Sequence, residues 1–324
     1  MYNVERTSTF KPIEMNDRAS FYDIENICLH YYNKLGRTFH LCTPENHPIV
    51  FRSTEEFKRG MNIIGIIAKG YPKVKILTFE LMSNHLHIVI AGEPEDILEF
   101  FDCLRKQLAR CLYQDGSRPD LNGFTPFLHE ITSLENLRNA IAYANRNGSV
   151  IDRHVCPYTY SWGANRYFFN PEATARYEQT KRKATVRELR KITVSRKYDN
   201  FTDIYFVDDY VCPLSFCFIP EAEMLFRDAR HYFTKISKHI ESYDEIAKMI
   251  GEQIYYTDDD LFSIVCSLAS KKYDCKVPSQ LQKNEKMELA IILHREYNAG
   301  IKQIQRMLKI DVAILSAFFG SNTK

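Results

Sequence analysis

No stretch of the 324 residues approaches the roughly 20 consecutive apolar residues of a membrane-spanning helix, so a helical membrane protein is not expected. A Gly-x-x-x-x-Gly-Lys-Ser/Thr segment is missing too, which removes a phosphate-cradling loop of the nucleotide-hydrolase kind. There is no Cys-x-x-Cys. The nine cysteines are scattered and odd in number, and Cys212 and Cys217 lack histidines at zinc-site spacing. Neither a structural zinc nor a disulfide framework is expected, and the start of the chain carries no signal-peptide pattern. These absences together predict a cytoplasmic protein with free thiols in a reducing setting. A surplus of either charge sign is also lacking: 43 Lys and Arg face 41 Asp and Glu, for a net charge of +2. Any surface for nucleic acid must then come from local segregation of charge.

What is present suits a folded protein. Single cores stop growing near roughly 250–300 residues, so a chain of this length is expected to hold two domains. Its 20 Tyr and 21 Phe suit a protein that stacks bases, although core packing accounts for most such residues. A first strand is expected over Arg37–Cys42, then a loop with Pro44 and Pro48. Phe57 to Lys69 carries helix-spaced apolar residues and is stopped by Gly70 and Pro72. Lys75–Met82 and His85–Ile90 read as strands about a turn at Ser83-Asn84. Helices are expected from Pro94 to Tyr113 and from Ser133, an N-cap, to Asn147. The sum is an α+β sandwich, an antiparallel sheet with helices on one face.

Residues 181–197 form the one strongly basic stretch, with Lys181, Arg182, Lys183, Arg187, Arg190, Lys191, Arg196 and Lys197 against the single acid Glu188. It reads either as a solvated face or linker, or as a phosphate-contacting segment. The tail from about Tyr243 is expected to be all-α. Within it, helices over Glu285–Tyr297, Ile301–Leu308 and Asp311–Phe319 give a helix-turn-helix pattern. The last of these has few basic residues, which weakens a base-reading role and leaves packing or dimerisation as the other reading.

His85 and His87 stand two apart in a strand, so both imidazoles share a face while Leu86 points to the other. Two neutral imidazoles make two corners of a metal site, and oxygen donors can complete it. The same spacing also arises from polar histidines on a solvated sheet face. On the helix after Ser133, Leu134, Leu137, Ile141 and Ala144 form an apolar stripe. Tyr143 lies roughly 120° away from that stripe and beside Asn147, four residues on. A tyrosine present only for packing would be expected on the stripe.

The segment Met82-Ser83-Asn84-His85-Leu86-His87 resembles the Met-Pro-Asn-His-hydrophobic-His element of single-tyrosine HUH transposases, in particular the REP-associated tyrosine transposases. Tyr143-Ala-Asn-Arg-Asn147-Gly148 stands where that family has Tyr-Ile-x-x-Asn-Pro, and Pro157–Trp162 with Tyr167-Phe168 follows as a third matching segment. The resemblance covers about residues 35–170. Ser83 and Gly148 replace prolines, which alters turn stiffness rather than chemistry.

The resemblance implies a ferredoxin-like nuclease fold over 1–175; charge and helix pattern beyond it predict a basic connecting segment (176–240) and a helix-turn-helix-like DNA-binding region (241–324). It implies a divalent metal, Mg2+ or Mn2+, held by His85, His87 and Asn147. Tyr143 is then the nucleophile, forming a 5′-phosphotyrosine on single-stranded or hairpin DNA. Tyr160 is the first rival, ahead of Tyr113, Tyr158 and Tyr167. Lys106, Arg110, Lys181, Arg182 and Lys183 are candidate phosphate contacts, and His40, His129 and His154 read as structural or surface residues. Two other functions stay open: a DNA-hairpin-binding regulator without cleavage, and an unrelated metal-dependent hydrolase, for which only Glu80 is a nearby acid. Monomer and homodimer are both compatible with the sequence.

Overall fold

The computed structural model describes residues 21–45, 47–114, 119–151, 157–237, 258–275, 277–297 and 299–320. The chain divides into two compact units, residues 1–149 with 154–238, and 150–153 with 239–324. The first unit opens with α1 (Phe21–Leu35). It continues through β1 (Thr38–Cys42), α2 (Thr54–Lys69), β2 (Lys75–Leu81), β3 (Leu86–Ala91), α3 (Pro94–Gln114), β4 (Phe127–Ile131) and α4 (Leu134–Ile151). The four strands form one antiparallel sheet in the order β2-β3-β1-β4. The α+β class is as expected.

Strands β1 and β3 are buried at every position and β2 at all but its first, so both faces of these three strands are covered, while the edge strand β4 is largely exposed. The two faces differ in chemistry. Cross-strand register puts Phe39 and Leu41 on one face with Phe79, Leu81, Leu86, Ile88 and Ile90. His40 and Cys42 share the other face with His87, Val89, Thr78 and Glu80. Helix α2 lies over the apolar face and packs against α3. Ser53 caps α2 by accepting from the Glu56 amide, Glu55 and Glu56 suit its positive end, and Lys69 suits its negative end.

Two glycines let α2 approach its neighbours. A Cβ at Gly60 would lie 2.5 Å from Leu81, and one at Gly65 would lie 2.6 Å from Val211 and 3.0 Å from Phe216. Helix α4, capped by Ser133 accepting from the Asn136 amide, lies against the polar face through Tyr143 and Asn145. Helices therefore cover both faces rather than one. The reason is that the buried Thr78, His40 and His87 need polar partners, and an exposed face was not available to them.

Residues 176–240, expected as a connecting segment, contribute through 237 to the first unit. Helices α5 (Pro171–Thr180) and α6 (Val186–Thr193) frame a second sheet, β5 (Arg182–Lys183), β6 (Tyr205–Val207) and β7 (Tyr210–Val211), ordered β5-β6-β7. Helix α6 packs on α2 and α3, where Gln107 donates to the Thr193 carbonyl. Helices α7 (Ile219–Glu223) and α8 (Ala229–Ile236) close this unit. No described helix is long and apolar enough to cross a membrane. The eight described cysteines are all free thiols.

The described part of the second unit is helical: α9 (Asp258–Tyr273), α10 (Lys283–Glu296), α11 (Ile301–Leu308) and α12 (Val312–Phe319). Leu261, Val265, Leu289, Leu293, Ile304, Leu308 and Leu315 form its core. Lys309, with φ of 55°, turns the chain from α11 into α12, and Asp311 caps α12.

Replacing a mid-helix glycine by alanine ordinarily gains up to about 1 kcal/mol. Gly65→Ala is expected to do the opposite, lowering stability by about 1–3 kcal/mol through the clash with Val211 and Phe216. Urea denaturation of the variant measures this, and a raised midpoint would refute the packing account.

Candidate metal centre

Histidines 85 and 87 sit at the tip of the β2–β3 hairpin. The turn is closed by the Met82 amide donating to the His85 carbonyl at 2.9 Å. His85 belongs to the turn and His87 to β3, which starts at Leu86. As expected, Leu86 is wholly buried on the opposite face.

The loop after β1 is stapled to this tip by six hydrogen bonds. Thr43 bonds Leu86 twice, its amide donating at 3.2 Å and its Oγ1 accepting at 3.0 Å. The Val50 and Phe51 amides both donate to the Ser83 carbonyl at 2.8 Å. The Asn84 amide nitrogen donates to the carbonyl of Glu45 and, at 3.2 Å, to that of His47. These staples carry Glu45 to the two histidines, and one donor atom from each of Glu45, His85 and His87 lies within 4.8 Å of the others. His87 is fully buried, His85 nearly so, and Glu45 half-buried.

On its other side His87 meets His40 and Tyr143. His87 Nδ1 and His40 Nε2 are 3.3 Å apart, the ring planes within 5° of each other. The Tyr143 ring stands edge-on to both, with centroids 5.7 Å from His87 and 6.1 Å from His40. Glu80, also buried, is the cross-strand neighbour of His87 on the same face.

A closed loop of hydrogen bonds holds α4 in this position. Thr78 Oγ1 donates to Asn145 Oδ1, and Asn145 Nδ2 donates to the Tyr232 hydroxyl at 2.7 Å. That hydroxyl donates to Asn165 Oδ1 at 2.5 Å, and Asn165 Nδ2 donates to the Asn145 carbonyl at 2.9 Å. All four side chains are buried. A second anchor is Arg138, which forks onto Glu25 at 2.9 and 3.2 Å and donates to the Leu225 carbonyl at 2.6 Å.

The expected site residues divide into two groups. His85, His87 and Tyr143 are brought together. The side chain of Asn147 and all of His154 lie outside the described residues. Helix phase separates Tyr143 from packing residues less well than expected, because every residue from 137 to 145 is buried. Its contacts with His40 and His87 are what set it apart. Among the rival tyrosines, Tyr160 also reaches this region, but its hydroxyl donates to the Leu81 carbonyl at 2.8 Å. Burial, with the Glu80 charge adding to it, holds Tyr160 well above the ordinary phenol range. Burial does the same to Tyr167, Tyr158 packs on Phe233, and Tyr113 is exposed on α3.

Four of the five expected phosphate contacts have polar side-chain partners. Lys106 and Arg110 lie on α3, where Lys106 pairs with Asp102 at 2.5 Å and Arg110 donates to Gln107. The basic stretch is partly neutralised by acids outside it: Lys181 pairs with Glu178 at 2.6 Å and Arg190 with Asp199 at 2.6 Å. Arg182 pairs with Glu188 at 2.8 Å, while Lys183 is exposed on β5.

Glu45 and His40 were missed as site residues. Neither carries a local motif, since the loop staples and the β1–β3 register bring them in. Comparison with family models, curated proteins and solved structures returns no match for this chain.

Two imidazoles and a carboxylate fit a divalent cation, and a mixed nitrogen and oxygen set suits Mn2+ better than Mg2+, which prefers oxygen alone.

Tyr232→Phe is expected to destabilise the fold by about 1–3 kcal/mol, because it leaves the Asn145 amide and the Asn165 carbonyl oxygen buried without the hydroxyl. Equal urea midpoints for variant and wild type would show that the closed loop does not hold α4.

Proposed function

We propose that the chain is a divalent-cation-dependent nickase and strand transferase for single-stranded or hairpin DNA, of the single-tyrosine HUH type, acting in transposition or mobilisation of a repeat element. The observation that carries this reading is the Tyr143 ring edge-on to His87, which itself groups with Glu45 and His85. A ferredoxin-like core belongs to the reading, and the order β1-α2-β2-β3-α3-β4 with strands arranged β2-β3-β1-β4 supports it.

Glu45, His85 and His87 would hold the cation, and Asn147, one turn after Tyr143, is the further ligand that the family resemblance implies. Bound there, a cation supplies positive charge to a phosphate that becomes more negative as it is attacked. The Tyr143 hydroxyl oxygen attacks phosphorus, its proton leaves to a base, and the bond to the 3′ oxygen breaks. That oxygen takes up a proton and departs as a 3′-OH, leaving a 5′-phosphotyrosine. The new ester conserves the phosphodiester energy, so a second 3′-OH reverses the step without ATP.

The substrate side has one further support. Phe127 of β4, Cys42 of β1, His87 of β3 and Glu80 of β2 form one cross-strand row on the same face, and Phe127 is 60% exposed. An exposed ring two strands from His87 is a surface on which an unpaired base stacks. The alternative reading, a hairpin-binding regulator without cleavage, is favoured by the depth of Tyr143, which is only 5% exposed. For the C-terminal helices, α12 exposes Ile314 and Phe318 and carries no basic residue, which favours packing or association over base reading.

With Mn2+ and a labelled single-stranded hairpin, wild type is expected to form a covalent adduct that survives denaturing electrophoresis. EDTA and Tyr143→Phe should each abolish it, Tyr160→Phe should not, and Glu45→Gln should weaken Mn2+ binding by at least about tenfold. An adduct that persists in Tyr143→Phe rules out the nucleophile, and hairpin binding without any adduct favours the regulator. Phe127→Ala should weaken single-strand binding by about 1–3 kcal/mol in a fluorescence titration while leaving the single-turnover rate of bound DNA unchanged.

A further inference from the structure

A histidine ligates a metal through one ring nitrogen only when that nitrogen carries no proton, and the hydrogen bond made by the other nitrogen decides this. Both histidines of the centre have a defined partner at Nδ1. For His85 the partner is Asn84 Oδ1, at 2.8 Å. The orientation of the Asn84 amide is not free, because its nitrogen donates to the carbonyls of Glu45 and His47, which can only accept. The oxygen therefore faces His85, and His85 Nδ1 must carry the proton.

For His87 the partner is His40 Nε2, at 3.3 Å. The two ring planes are within 5° of each other and their centroids are 5.4 Å apart. A nitrogen–nitrogen distance this short at that centroid spacing means that the rings meet edge to edge, nearly coplanar. They share one N–H···N hydrogen bond rather than stacking face on face. The distance fits either ring as donor, but His87 can ligate through Nε2 only as the tautomer that donates from Nδ1. Both residues are fully buried, so water does not compete for this bond.

We infer that Asn84 and His40 are positioning residues that set the same tautomer in both ligands, Nδ1–H in His85 and Nδ1–H in His87, so that each presents Nε2 to the cation. This rests on the metal-centre reading above. It assigns Asn84 two tasks through one amide: its oxygen fixes His85, and its nitrogen fixes the backbone that carries Glu45. It assigns His40, a residue with no role in the sequence motif, the part of acceptor from His87.

The test is a long-range 1H–15N correlation spectrum of the full chain labelled with 15N-histidine. It is recorded without metal at mildly alkaline pH, above the range in which an ordinary imidazole titrates. In wild type, His85 and His87 are expected to be protonated at Nδ1. In His40→Phe, His87 should shift toward the Nε2–H form while His85 is unchanged, and Asn84→Ala should do the converse. His40→Gln, which keeps an acceptor oxygen, should restore His87.

Mn2+ titration of the same proteins should show affinity losses of about 10–100-fold in His40→Phe and Asn84→Ala, and a smaller loss in His40→Gln. Protonation of His87 at Nε2 in wild type overturns the inference without any variant, so misfolding of His40→Phe cannot shield it. The wrong tautomer together with normal Mn2+ uptake overturns this inference alone. The expected tautomers without Mn2+ uptake by wild type overturn the metal-centre reading, and with it the purpose of the tautomers.

Discussion

The structure depends on a sheet with one buried polar face. Thr78, Glu80, His40 and His87 lie under protein rather than under water, and polar groups removed from water cost several kcal/mol unless they are bonded. An apolar helix laid on that face would leave them without partners. Helix α4 instead offers Asn145 to Thr78 and Tyr143 to the two histidines. Asn145 is in turn bonded to Tyr232, and Tyr232 to Asn165, which closes on the Asn145 backbone. Each member of this loop has a single arrangement that satisfies all the others, so the roll and height of α4 are fixed together. The position of Tyr143 follows from Asn145, two residues on.

The other half of the centre is built differently. Glu45 sits on an irregular loop, where a side chain is ordinarily less well placed than on a strand. Here the loop is held by backbone and amide hydrogen bonds to the hairpin tip, from Thr43, Val50, Phe51 and Asn84. The consequence is a gradient across the site, from half-buried Glu45 at the tip to fully buried His87 behind it. Of the three groups, Glu45 keeps the most contact with solvent.

How much of this was legible in the sequence follows the range of the interactions. The turn at Ser83-Asn84, the cap at Ser133, the stop after Lys69 and the shared side of His85 and His87 rest on neighbours within four residues, and the sequence carried them. Glu45 was not legible, because it reaches His85 through bonds made by Asn84, 39 residues away. His40 was read as structural or surface because only the β1–β3 register turns it toward His87. The second sheet was missed since its strands are two or three residues long, below the length at which alternation shows. Its hairpin did leave a signal: Asp208 and Asp209 have φ of 52° and 68°, the left-handed pair that a two-residue loop demands. The basic stretch was legible as charge but not as ion pairs, since two of its partner acids, Glu178 and Asp199, lie just outside it.

The arrangement also bears on whether one copy of the chain suffices. A cluster with Tyr143 on a helix and Glu45, His85 and His87 on a loop and a strand hairpin could also be assembled by exchanging that helix between two copies. In this chain the helix is tied to its own sheet at Thr78, to its own Asn165 and Tyr232, and through Arg138 to its own Glu25. Exchange would require all of these bonds to break and to re-form on the partner. Glu45, His85, His87 and Tyr143 are accordingly neighbours in a single copy.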